Sequence, residues 1–194
     1  MKKTKAAIGI MVMAIFSLSA ISCKNTKKEQ EMPEGRQSQE MQDHSGMDHG
    51  DMHMTSSAIL ADYLELKNAL VSDNRDAAAR AGEKLGGSLK DFDKGKFTEA
   101  QQTELNGIIK DAGEHAEHIA ESEMSHQREH FKILSQDIVD LVAITGTEHR
   151  LYEQYCPMYD NNKGGTWLSM DEEIRNPYFG NRMLTCGKVQ REIE

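Results

Sequence analysis

The sulfur and imidazole donors of this chain fall in two places. Near the C-terminus stands Cys156-Pro157-Met158, followed 30 residues later by Cys186-Gly187, with Met183 just before the second cysteine. Two thiolates and a thioether are soft donors of the kind that favours Cu(I), and they accept zinc or silver as well. Pro157 fixes the backbone between the first two sulfurs, and Gly187 lets the chain turn tightly after the last. Cys156 and Cys186 in an oxidising compartment can equally pair as a disulfide that staples a small module. The residues alone leave both readings open.

The second place is the N-terminal third, where Met41, His44, Met47, His49, Met52, His53 and Met54 alternate with acids and glycines. Thioether suits Cu(I), and imidazole suits Cu(II), Cu(I) and zinc. The run has no helical period and no aliphatic or aromatic companions, so it reads as a metal-capturing low-complexity segment rather than core. Such a segment would exchange ions readily. Further on, His115/His118 and His126/His130 have the i,i+3 and i,i+4 spacings that let two imidazoles share an ion. They lie on helix faces rich in Glu, where histidine is commonly just solvated. Of the four, His130 is taken as a candidate ligand, because it could sit under the cysteine module.

Something must carry these donors. Lys2, Lys3 and Lys5 precede an apolar stretch from Ala6 to about Leu18, and small residues lead into Ala20-Ile21-Ser22-Cys23. This is the layout of a secretory signal peptide over 1–22, too short to span a bilayer comfortably. Its last four residues resemble a lipobox, although Ala20 stands where Leu is commoner. The match predicts diacylation of Cys23, which leaves only Cys156 and Cys186 as thiols. The expected location is the cell envelope, lipid-anchored to a membrane, with the outer membrane facing the periplasm the leading assignment and the cell surface the alternative.

Residues 23–56 are rich in Lys, Glu, Gln, Ser, Asp, His and Gly and read as a disordered tether. The domain is expected over 57–194. Ile59, Leu60, Tyr63, Leu66 and Leu70 form one helical stripe, and Ala77, Ala81, Leu85, Leu89 and Phe92 a second, capped by Asp73 or Asn74. Thr98 with Gln101 makes a capping box for a third helix whose core face is Leu105, Ile108, Ile109, Ala112, Ala116 and Ile119. The pattern resets near Ser122–Ser125, and a fourth helix carries Phe131, Leu134, Ile138, Leu141 and Val142 and ends near Gly146. Short connections favour antiparallel neighbours. The predicted fold is therefore mainly α: a small up-and-down four-helix bundle followed, from about 149, by an irregular Cys-containing module with room for short strands. Trp167, Tyr155, Tyr178 and Phe179 supply that module's apolar contact area.

The formal net charge is −9, and loss of residues 1–22, with three lysines and no acid, makes the remainder more acidic still. Such a surface excludes nucleic acid as a partner, since phosphates demand Lys and Arg. No nucleophile elbow, phosphate loop, dinucleotide fingerprint or His-Glu-x-x-His helix is present, so no enzyme is expected.

The stretch Gln127-Arg128-Glu129-His130-Phe131, Leu134-Ser135, Tyr155-Cys156-Pro157-Met158, Trp167-Leu168-Ser169, Ile174 to Gly180 and Met183-Leu184-Thr185-Cys186-Gly187 resembles the DUF3347 family. The resemblance runs from about Ser57 to the C-terminus, with the Cys-Pro-Met to Cys-Gly part its specific portion. Such domains occur as small exported proteins of Bacteroidetes-type bacteria, and appended to periplasmic adaptor subunits of copper/silver efflux pumps. No biochemical activity comes with the family. What the resemblance implies is a setting of metal handling, with copper, zinc or silver as cargo and an efflux adaptor or pump as partner. The expected function is sequestration of copper or its delivery to such a system. The alternative is a structural or adaptor lipoprotein that docks on an envelope partner, with Cys156–Cys186 a disulfide.

Overall fold

The computed structural model describes residues 51–194, the first five as backbone only. Four helices come first: α1 (Asp51–Val71), α2 (Arg75–Lys90), α3 (Glu99–Glu121) and α4 (Met124–Thr145). Each packs on the next, and α1 also meets α4, as in an up-and-down bundle. Helix α1 begins at Asp51 rather than Ser57, so its first turns take in the last residues read as tether.

Local chemistry sets the boundaries. Asn74 caps α2, its side-chain oxygen accepting from the Ala77 N–H at 3.0 Å. Thr98 and Gln101 form the expected reciprocal capping box of α3. Gly146, with φ of +74°, ends α4.

The core takes Ile59, Tyr63, Leu66 and Leu70 from α1, Leu85 and Leu89 from α2, Leu105, Ala116 and Ile119 from α3, and Phe131, Leu134 and Ile138 from α4. Of the expected second stripe, Ala81, Leu85, Leu89 and Phe92 are buried, while Ala77 is half-buried and Ala78 takes the inward place. Gly82 is buried beside them; an added Cβ there would lie 3.0 Å from both the Ala116 carbonyl and Ile119, so α2 and α3 approach closely at that point.

The C-terminal region is more regular than its composition suggests. Strands β1 (Leu151–Cys156), β2 (Gly165–Ser169) and β3 (Lys188–Ile193) form an antiparallel sheet with β1 in the middle. Gln154 faces Trp167, Cys156 faces Gly165, and Tyr155 faces Lys188, with a slip in register between Glu153 and Gln154. The sheet lies against α4, and Trp167, Leu168 and Tyr178 are buried there. Polar contacts fix it in place. Buried Tyr63 accepts from the Leu168 N–H at 3.0 Å and shares a hydrogen bond with Ser135 at 2.9 Å. Buried Arg128 donates to the carbonyls of Pro177 and Leu70. Among the described residues no helix is long and apolar enough to cross a membrane.

Candidate metal-binding residues

The expected donor set Cys156, Met158, Cys186, Met183 and His130 is divided among different parts of the domain. Cys156 and Cys186 do meet. Cys156, the fully buried last residue of β1, has its Sγ 3.0 Å from that of Cys186 on the loop before β3, and both are free thiols. The loop is held by Asn176, whose side-chain amide donates to the Cys186 carbonyl at 2.7 Å. It is also held by the Cys186 N–H on the Met183 carbonyl. Gly187, at φ +149°, passes so close to Trp167 and the Tyr155 carbonyl that a Cβ would sit 3.0 Å from each. The hydrogen bond to Cys156, then burial and the charge of Cys156, push the Cys186 thiol up to about 11.

Met158 does not join the sulfurs. It is 51% exposed and lines an open groove with Glu129, Lys132, Ile133, Tyr159 and Phe179, on the side facing α4. Met183 is half-buried, and its backbone carbonyl is what meets Cys186. The turn after Met158 places Asp160, Asn161 and Asn162 at positive φ, and this carries the chain round to β2. In the N-terminal set, Met41, His44, Met47, His49 and Cys23 lie outside the described residues. Met52, His53 and Met54 fall in the first turns of α1, where only the backbone is described.

His130 belongs to a different constellation. Helices α3 and α4 run antiparallel about the turn at Ser122-Glu123. His115 lies seven residues before Ser122 and His130 seven after Glu123, while His118 lies four before and His126 three after. That near-symmetry brings all four rings to one face of the hairpin. His115 Nδ1 is 3.0 Å from His130 Nδ1, and His130 Nε2 is 3.1 Å from His126 Nε2. His118 stacks on His130 with ring centroids 4.4 Å apart and planes 14° from parallel. Beyond His126, its Nδ1 lies 2.8 Å from the Glu129 carboxylate. His115 and His130 are half-buried, His118 and His126 exposed.

Burial, then the neighbouring His118, His126 and His115, hold the His130 pKa down at about 4. His115 is lowered by burial and by His118. His115 and His130 are therefore uncharged at neutral pH, the form in which imidazole offers a lone pair to a metal. They are packed ring to ring. Among the described residues no three or more His, Cys, Asp and Glu side chains are set around a common point as in a ready-made metal site.

Reading each helix alone missed this cluster. It showed the two His pairs but not that the hairpin folds one pair onto the other. The signal was available in the near-equal distances of the pairs from the reset of pattern at Ser122–Ser125.

The fold and these groups define a small helical-bundle domain with an appended three-stranded sheet, a thiol pair and an imidazole cluster. Residues 59–150 match the family model DUF3347, a protein of unknown function. The match covers the bundle and the imidazole cluster and stops before β1, so the Cys-Pro-Met and Cys-Gly motifs expected to be its specific portion lie outside it. No curated protein and no solved structure matches the chain.

Proposed function

We propose that this protein is a non-enzymatic metal-binding lipoprotein of the cell envelope, held to a membrane by lipid on Cys23, which sequesters copper or passes it to a heavy-metal efflux system. The observation that carries this reading is the thiol pair. Cys156 and Cys186 carry no S–S bond and their sulfurs are 3.0 Å apart, with Cys186 partly open to solvent. Two adjacent sulfurs are a soft seat, of the kind that selects Cu(I). At metal–sulfur bonds of about 2.3 Å, two thiolates on one ion stand roughly 3.8–4.6 Å apart for tetrahedral to linear coordination. The sulfurs must therefore part by roughly 0.8–1.6 Å, a movement that side-chain rotation at Cys186 supplies while its backbone stays held by Asn176 and Met183 and Cys156 stays fixed on β1. Met158 lies exposed in the groove beside α4, so the seat is the two sulfurs, with the Met/His segment 41–54 as the outer capture site.

A second reading rests on the burial of Cys156 and on Met158 facing away from the pair. On that reading the cysteines close into a disulfide, for which sulfurs must approach to about 2.05 Å, and the domain is an adaptor docking on an envelope partner. Competition for Cu(I) against a chromophoric chelator, on the reduced protein, separates them. The metal reading expects Cys156→Ser to lose the tightest Cu(I) site and Met158→Leu to leave it unchanged. Equal Cu(I) affinity in wild type and Cys156→Ser, with an intact disulfide in the native protein, would overturn it.

A further inference from the structure

The four imidazoles on α3 and α4 have no evident structural task. The bundle core is complete beneath them, formed by Leu105, Ala112, Ala116 and Ile119 on α3 and Phe131, Leu134 and Ile138 on α4. Four histidines at the surface of one helix hairpin, three in nitrogen-to-nitrogen contact and the fourth stacked on them, are a costly way to fill a surface that Lys and Glu could cover.

Their protons fall in one consistent order. The Glu129 carboxylate only accepts, so His126 carries its proton on Nδ1 and leaves Nε2 as a bare lone pair. That lone pair is aimed at His130 Nε2, 3.1 Å away. His130 therefore donates from Nε2, and its Nδ1 accepts from His115 Nδ1. The assignment follows from the one fixed acceptor at the end of the chain. A carboxylate holding the far nitrogen of an imidazole, so that the near nitrogen points at one spot, is the arrangement that orients histidines on metals.

We propose that His126, His130 and His118 bind one borderline divalent transition-metal ion, of the Cu(II) and Zn(II) class, between α3 and α4, with Glu129 and His115 as positioning residues. The ion sits between His126 Nε2 and His130 Nε2. For bonds of about 2.0–2.1 Å, two nitrogens on a tetrahedral ion are roughly 3.4 Å apart, so this pair needs to part by only a few tenths of an ångström. To free Nε2, His130 moves its proton to Nδ1 while His115 moves its own from Nδ1 to Nε2, so that the hydrogen bond between the two Nδ1 atoms reverses and His115 accepts; no net proton is released. His118, exposed and stacked on His130, reaches the ion by rotating its ring, and water completes the shell. All-nitrogen donors suit divalent zinc, copper and nickel, and the affinity order places Cu(II) first.

The site goes beyond the function proposed above. It uses no sulfur and lies in the segment that matches the family, so it stands or falls apart from Cys156 and Cys186.

Zinc is the probe, because it cannot oxidise the thiols. The full-length protein is titrated with Zn²⁺ and followed by thermal unfolding, since an ion bridging two helices stabilises the fold whereas one held by the N-terminal segment does not. Expected is a rise of several degrees in Tm that persists in Cys156→Ser and in the His44→Ala/His49→Ala pair. In His126→Gln/His130→Gln the rise is absent. Glu129→Ala weakens zinc about 10–100-fold, and Glu129→Gln, which keeps an acceptor oxygen, recovers part of the loss. Because the double variant could unfold, histidine ring NMR of the wild type is recorded alongside, where zinc must shift the His118, His126 and His130 signals. No rise in wild type, a rise kept in the double variant, or unmoved ring signals would overturn the proposal. A rise lost in Cys156→Ser with ring signals unmoved would place the zinc on the sulfur site instead.

Discussion

Arg128 on α4 donates from Nη2 to the Asp73 carboxylate at 2.6 Å, joining the α1–α2 corner to the helix that carries the C-terminal sheet. The same guanidinium reaches the Leu70 and Pro177 carbonyls, and the other Asp73 oxygen accepts from the Asn181 N–H. Hydrogen bonding by Arg128, and then by the Asn181 backbone, holds the Asp73 carboxyl below its ordinary range. Gly180, at φ +54°, leaves room for this carboxylate, since a Cβ there would collide with it.

From this follows the first expectation. Arg128→Met keeps the length of the side chain but leaves two carbonyls and a carboxylate without their donor. Arg128 is buried but Asp73 is exposed and keeps the Asn181 N–H, so the main cost is that of the buried carbonyls left short of a donor, about 1–3 kcal/mol. Equilibrium urea unfolding of the variant should show a loss in that range with an unchanged m-value. A loss below about 1 kcal/mol would mean the C-terminal region is held mainly by Trp167, Leu168 and Tyr178.

Asp137 on α4 gives a pH dependence. Its Oδ2 is buried without a partner. Burial, with Asp111 and Asp140 adding, raises its carboxyl from the ordinary 3.8 to about 7. Between those values the folded protein holds a proton that the unfolded chain has released, so this residue makes stability fall as pH rises from about 4 to about 7. Asp137→Asn should therefore be more stable than wild type at pH 8, with the gain vanishing toward pH 4. Thermal unfolding across that range checks it, and a gain independent of pH would contradict the assignment.

The helices were largely legible because capping and 3.6-residue periodicity are local: Asn74, Thr98 and Gln101 mark helix starts before any packing is known. On α2 the stripe held at Ala81, Leu85 and Leu89 and missed Ala78 and Gly82, because Gly82 is buried through its close approach to Ala116 and Ile119, a tertiary effect. The strands were hard to read for a different reason. In β1 the slip at Glu153/Gln154 breaks the two-residue alternation, and β3 is an edge strand with mostly exposed side chains. The donor sets divided the same way. Cys156 and Cys186 were read together and do meet, while Met158, two residues on, is exposed in the groove beside α4.

Attachment by lipid has its own test. Cys23→Ala should move the protein from the membrane to the soluble fraction, because a covalent acyl chain supplies the binding and an acidic domain does not. Metabolic labelling with a fatty acid should mark wild type alone, and unlabelled wild type would refute the anchor.

Deletion of residues 41–50, which ends just before α1, should remove the weaker and faster-exchanging copper sites. Thermal unfolding of the metal-free protein should not change, since this stretch has no apolar period by which to pack. A clear drop in that Tm would show that it packs on the domain.

The most direct test of metal handling is the copper content and thiol state of the native protein, isolated anaerobically from copper-fed cells. Expected is bound copper with Cys156 and Cys186 reduced and shielded from alkylation until the copper is removed, and loss of that shielded copper in Cys156→Ser. Copper-free protein with the two cysteines joined in a disulfide would contradict it.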